Sequence, residues 1–185
     1  MLMEDENLSE SQMEEILKTY QTLEYVSKLN KSLLLLSKID NSQFVETSEI
    51  CINEVLHRYL EDYQEVYDYR SIQLTLEEKG EFRIGMNEVL AVVLVTNLLK
   101  NAFVHNVDKG IIRIEITPES FCFQNTGGDE ALDEKRIFER FYQGAKKKEG
   151  STGLGLAIVH AVCRQYHLNI SYRFLDNRHC FEIYR

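Results

Sequence analysis

The stretch GSTGLGLAIV, residues 150 to 159, constrains this chain more than any other. Gly150, Gly153 and Gly155 precede and open an apolar run whose pattern predicts a helix over about 153–166. Glycine lets backbone approach a ligand closely, and the first amides of a helix are unpaired donors that point outward. Phosphate is the usual anion for such a nest of amides. Thr152 is placed to cap the helix or to bond a phosphate oxygen, and Leu154 belongs to the same turn. The spacing is neither GxGxxG after a strand nor GxxxxGK[ST], so neither a dinucleotide fold nor a P-loop is indicated. An ordinary glycine-rich helix entry is the competing reading.

The rest of the chain must supply a fold around that turn. Residues 9 to 41 contain no Gly or Pro and predict one long helix. Val26, Leu29, Leu33 and Leu36 make a heptad-like seam, and the run Leu33–Leu36 adds apolar groups outside it. A helix with this surface needs a partner: a second copy in a homodimeric bundle, or its own domain. A break at 41–44 precedes a second amphipathic helix over about 48–66. SIQLTLEE (71–78) alternates as a half-buried strand does. Residues 86–106 predict a helix, and 111–117 and 121–125 predict strands on either side of Pro118, the only proline. Residues 126–152 form a long, glycine-bearing loop with Lys146, Lys147 and Lys148. Two closing strands, 169–175 and 179–185, predict a hairpin about Asp176–Arg178. Strands and helices mix without βαβ alternation, which favours an α+β layer with helices on one face of a sheet.

Composition narrows the partners. The 185 residues suit one ordinary domain with an appendage, and 44% apolar residues suffice for its core. The net charge of -9 argues against a nucleic-acid binder, which needs a basic face, while leaving room for a nucleotide held by local amides and a metal. Cys51, Cys122, Cys163 and Cys180 show no zinc spacing and read as reduced thiols of a cytoplasmic protein. No apolar run approaches the roughly 20 residues that span a bilayer. The acidic N-terminus is not a signal peptide. A membrane anchor would belong to a longer parent chain.

Three further groups of residues carry chemistry. Asn97, Asn101 and His105 are spaced i, i+4, i+8 and so share a face of the predicted 86–106 helix. Amide oxygens are hard neutral ligands suited to Mg²⁺, which also takes phosphate oxygens. The alternative is a solvated polar face. In QNTGG (124–128), Asn125 can present a carbonyl to an amino-purine and Gly127 lets a base lie on the backbone; alone, this is good turn composition. In IFERFYQG (137–144), Phe138 and Phe141 can anchor a loop, and Arg140 can stabilise charge on a transferring phosphate. The alternative there is a short amphipathic helix with Arg140 in solvent.

Taken in order, NLLKNA (97–102), QNTGG, FERF and GSTGLGLAIV resemble the N box, first glycine box, F box and second glycine box of sensor histidine kinases, within the GHKL or Bergerat-type ATPase superfamily. The resemblance covers about residues 48–185. LNKSLLLLSKIDNSQF (29–44) is similar to the second helix of the dimerisation and phosphotransfer domain that precedes this module. The chain therefore divides into 9–44, part of that domain, and 48–185, the ATP-binding catalytic domain. The implied fold is a two-layer α/β sandwich, a mixed sheet of about five strands with three helices on one face, preceded by one long helix.

The resemblance implies Mg²⁺ as cofactor with Asn101 as its ligand, and ATP as the bound nucleotide. Asn97 and His105 stand beside the phosphates, Asn125 recognises the adenine amine, and Gly153 and Gly155 shape the phosphate end. Asn97 matches a position that is a general-base Glu in gyrase-like ATPases. An amide cannot take a proton from water, which disfavours hydrolysis and fits transfer of the γ-phosphoryl to a protein histidine. A response-regulator receiver domain would accept the phosphoryl on an aspartate, and the parent would be a homodimer through its N-terminal helix. Departures mark the base end: Asn125 is neutral where the family usually has Asp, Asp129 replaces a glycine, and Val104 stands where a Lys often occurs. Lys146–Lys148 are candidates to compensate. None of the five histidines precedes His57, so the chain reads as a fragment lacking the phosphoacceptor helix. The alternative function is a catalytically weak, nucleotide-gated interaction module.

Overall fold

The computed structural model describes residues 9–144 and 151–185. Lys146–Lys148 and Gly150 lie outside these residues. Helix α1 spans Glu10–Asp40, close to expectation. Its start is a reciprocal cap: Gln12 N–H donates to Ser9 Oγ, and Ser9 N–H donates to Gln12 Oε1. Only the last turns of α1 bury side chains, Leu36 and Ile39, where the helix packs on α4 (Gly155–Gln165). Leu17, Tyr20, Leu23 and Val26 are exposed.

The expected helix over 48–66 begins later. Strand β1, Ser48–Cys51, comes first and pairs antiparallel with β3, Arg83–Met86, a strand the periodicity did not predict. Helix α2 then runs Ile52–Val66. Four-residue strands sit below the length at which alternation is readable, and pairing with a distant segment decides them. The expected helix over 86–106 becomes α3, Glu88–Val104. Asn87 caps its start through Oδ1, which accepts from Val89 N at 3.0 Å. At its other end Arg70 donates to the carbonyls of Phe103 and Asn106 and pairs with Asp108 at 2.8 Å. A cation at a helix C-terminus satisfies orphan carbonyls and suits the helix dipole.

The main sheet has five strands in the order β2 (Gln73–Glu78), β4 (Ile111–Ile116), β5 (Ser120–Thr126), β7 (Arg178–Tyr184), β6 (Asn169–Leu175). The β2–β4 pair is parallel and the others are antiparallel. Asp176 and Asn177 adopt φ of 50° and 58°, the two left-handed residues that a tight hairpin loop between β6 and β7 demands.

Register assigns the two faces. Ile112, Ile114, Phe121, Phe123, Asn125, His179, Phe181 and Ile183 share the buried face under α2, α3 and α4. Leu90, Leu94, Leu98, Val159 and Val162 meet them from the helices. Each such side chain removed from water contributes about 1.5–3 kcal/mol, so this face dominates stability. Phe82 closes the core edge-on against Phe121, with ring centroids 5.0 Å apart. The opposite face carries Glu77, Arg113, Glu115, Cys122, Gln124, Arg173, Cys180 and Glu182. The architecture is the α+β layer expected, with α1 appended.

Candidate nucleotide-binding site

Three segments converge at one end of the helical layer. Helix α3 supplies Asn97 and Asn101, both half-buried and one turn apart. A Cβ built on Gly155, the first residue of α4, would lie 3.1 Å from Asn97 Oδ1. A Cβ on Gly127, just past β5, would lie 2.6 Å from His179 Nε2 and 3.4 Å from the His105 carbonyl oxygen. The start of α4 thus abuts Asn97, and the exit of β5 abuts the end of α3.

The phosphate turn is built as the glycine spacing demands. Gly153 has φ +66°, and a Cβ there would meet Phe141 C and Tyr142 O at 2.8 Å each. Gln143 Nε2 donates to Ser151 O at 2.6 Å and ties the two segments together. Leu154 is the N-cap residue of α4 and no side chain caps it, so the first amides have no side-chain acceptor. Thr152 therefore does not cap the helix, being two residues too early. Leu154 is fully buried, at 0% exposure.

At the base end, Asn125 is 1% exposed. Its Nδ2 donates to Thr126 O at 2.8 Å, while Oδ1 has no hydrogen-bond partner among the described residues. A buried acceptor left unmade costs about 1–3 kcal/mol. His179, its register partner, was not singled out by sequence. Burial lowers the pKa of His179 and keeps the ring neutral, with Tyr172 Oη 2.8 Å from Nδ1. Tyr172 Oη also accepts from Leu132 N at 3.0 Å, so the pair anchors the segment that follows Gly127. No local pattern marked them; the only signal was their alternation on two strands whose pairing was unknown.

Other expected residues lie elsewhere. His105 is exposed and is the C-cap of α3, its N–H donating to Asn101 O at 3.0 Å. Phe138 anchors its segment by stacking on His160, with centroids 5.5 Å apart. Phe141 does not: it is exposed with φ 65°, and its backbone rather than its ring seats Gly153. The segment is a series of turns rather than a short helix. Arg140 points to Asp40 at the end of α1, with Nη2 2.5 Å from Oδ2, and Arg164 reaches Asp40 Oδ1 at 2.8 Å. Among the described residues no group of three or more His, Cys, Asp or Glu could hold a metal ion.

The comparisons with known proteins bear on the family and the fold. Residues 86–182 match the family described as histidine kinase-, DNA gyrase B- and HSP90-like ATPase. The heme sensor protein HssS of Staphylococcus saprophyticus is 28% identical over 172 residues, 90% of this chain and 36% of that protein. The sensor histidine kinase RppB of Synechocystis is 32% identical over 147 residues, 74% of this chain and 32% of that protein. The chain spans about a third of the length of these relatives. Among solved structures, the mycobacterial sensor histidine kinase MprB has a TM-score of 0.66 at 21% identity, covering 74% of this chain and 95% of that one. Full-length ShkA, solved with AMPPNP, has a TM-score of 0.73 at 20% identity, covering 98% of this chain and 40% of that one. ThkA, solved with the response regulator TrrA, has a TM-score of 0.68 at 20% identity over 97% of this chain and 52% of that one. With its family model matched across the α3, β5 and α4 site, this chain belongs to the histidine kinase-, DNA gyrase B- and HSP90-like ATPase family, as an ATPase domain of the two-component sensor kinase type.

Proposed function

We propose that the chain binds Mg-ATP and passes the γ-phosphoryl to a histidine on an upstream helix of a longer homodimeric protein, for relay to an aspartate of a response-regulator receiver domain. One observation carries the reading: the buried Asn125 Oδ1 without a partner faces the problem an adenine amine solves, at the end of the site opposite the uncapped α4 start. Asn125 would accept from the amine, with Gly127 leaving room for the ring. The amides after Gly153 would hold phosphate oxygens, with Asn97 and His105 beside them. Asn101 would ligate Mg²⁺, which supplies charge neutralisation between phosphates when bound. Asn97 cannot act as a base toward water, so this chain contributes positioning rather than hydrolytic chemistry.

Support for the finer step comes from α1. Its exposed Leu17, Tyr20, Leu23 and Val26 suit a bundle partner, the setting in which an acceptor helix would lie. Among the described residues no helix is long and apolar enough to cross a membrane. A second reading, a nucleotide-gated interaction module without turnover, is favoured by the engagement of Arg140 with Asp40 rather than with the site.

The two readings are separated by incubating the chain with radiolabelled Mg-ATP and a separately made histidine-bearing helical hairpin. Label on the hairpin supports the kinase; tight ATP binding without transfer supports the module. Asn101→Ala is expected to abolish the Mg²⁺ dependence of ATP binding, and unchanged affinity with and without Mg²⁺ removes Asn101 from the metal role.

A further inference from the structure

Cys122 and Cys180 lie on adjacent antiparallel strands, β5 and β7, on the face of the sheet away from the helices. Gln124 pairs with Cys180 and Cys122 with Glu182, so the two cysteines are diagonal neighbours. Their sulfurs are 2.9 Å apart, less than 1 Å beyond the bonded separation of about 2.05 Å. Both are free thiols, and nothing in the nucleotide site uses them. Their surroundings are polar: Arg173, paired with Glu182, flanks Cys180, and Gln124 Nε2 points to Cys122 Sγ at 3.8 Å.

We infer that Cys122 and Cys180 form an oxidisable dithiol, a modification site on which a peroxide closes a reversible cross-strand disulfide. The two sulfurs have different roles. The two sulfurs share a hydrogen bond, which, aided by the Arg173 charge, lowers the Cys180 pKa and raises that of Cys122. Cys180 is therefore the thiolate that attacks. Its sulfur displaces hydroxide from hydrogen peroxide, breaking the O–O bond and forming a sulfenic acid. Cys122 then attacks that sulfur, its proton leaving with the sulfenic oxygen as water. The two electrons of the new S–S bond's formation reduce the peroxide. Cys180 is itself only 7% exposed, so contact rather than exposure singles out the pair: it is the one thiol–thiol contact among the described residues, while Cys163 in α4 has its thiol pushed up to about 12 and Cys51 lies beside Asn53.

The test is mass spectrometry of the full chain, reduced, desalted and treated with hydrogen peroxide, then denatured and alkylated. The expected product has lost two hydrogens, leaves Cys51 and Cys163 alkylated, yields a peptide pair joined through Cys122 and Cys180, and reverts with dithiothreitol. In Cys122→Ser, Cys180 is expected to halt as a dimedone-reactive sulfenic acid. The peptide map of the unaltered chain decides the matter even if that variant folds poorly. Four alkylated cysteines after treatment, a crosslink through Cys51 or Cys163, or a bond between two chains would each overturn the inference.

Discussion

Asn125 concentrates the consequences of a single side chain. Its unpartnered Oδ1 gains a bond only when a donor arrives. Asn125→Ala is expected to weaken ATP binding by about 1 kcal/mol, roughly fivefold in Kd, by titration calorimetry. Asn125→Asp makes the bond charge-assisted, so ATP should bind more tightly and the ATP-over-GTP ratio should rise, while the nucleotide-free protein loses stability to a buried carboxylate. Its neighbour His179 sets a pH dependence. Burial depresses its folded pKa below 6.5, and burial followed by Arg164 does the same for His160. The unfolded chain then binds protons that the folded chain refuses. Their contribution is complete above pH 6.5 and lost as pH falls from there through the depressed folded pKa. Between about pH 7.5 and about pH 5 the Tm should therefore fall, read by thermal denaturation across that range. His179→Asn should flatten that slope; an unaltered slope would take His179 out of the account.

Helix α1 meets the rest of the fold through two unlike contacts, and magnitudes rank them. Asp40 pairs with Arg140 and Arg164, whose side chains are about half or more exposed at 51% and 69%. Exposed pairs of this kind are worth at most about 1 kcal/mol. Leu36 is 1% exposed within the core. Leu36→Ala should therefore cost about 2–4 kcal/mol in urea unfolding, and Asp40→Ala under about 1 kcal/mol. The reverse order would mean that the ion pairs, not the packing, seat α1. At this scale the expected elements were legible wherever periodicity ran long, as in α1, α3 and the strands carrying Ile112–Ile116 and Phe121–Asn125. The β1–β3 pair was not, because four residues carry too little period and their partner lies more than thirty positions away. Arg70 capping α3 escaped notice for the same reason, since its partners are carbonyls brought near only by folding.

For the whole molecule, the exposed apolar stripe of α1 predicts association of two copies. Sedimentation should show a concentration-dependent dimer, and Leu23→Glu should shift it toward monomer with the Tm of the catalytic layer preserved, since Leu23 is 63% exposed. A monomer at all concentrations with an unaltered helix signal would assign the stripe to another partner.

What the sequence determined by itself was chemistry tied to local backbone: glycines at 153 and 155 opening a helix, two asparagines a turn apart, a long helix without breakers and an alternating sheet. These depend on φ preferences, hydrogen-bond inventory and period, which act within a few residues. Packing in three dimensions settled which residues meet. It set Gly155 against Asn97, backed Gly127 with His179, turned Arg140 toward Asp40, sent the Leu154 side chain into the core, and brought Cys122 within 2.9 Å of Cys180. Strand register and helix packing join positions tens of residues apart, and no local preference of the chain encodes those pairings.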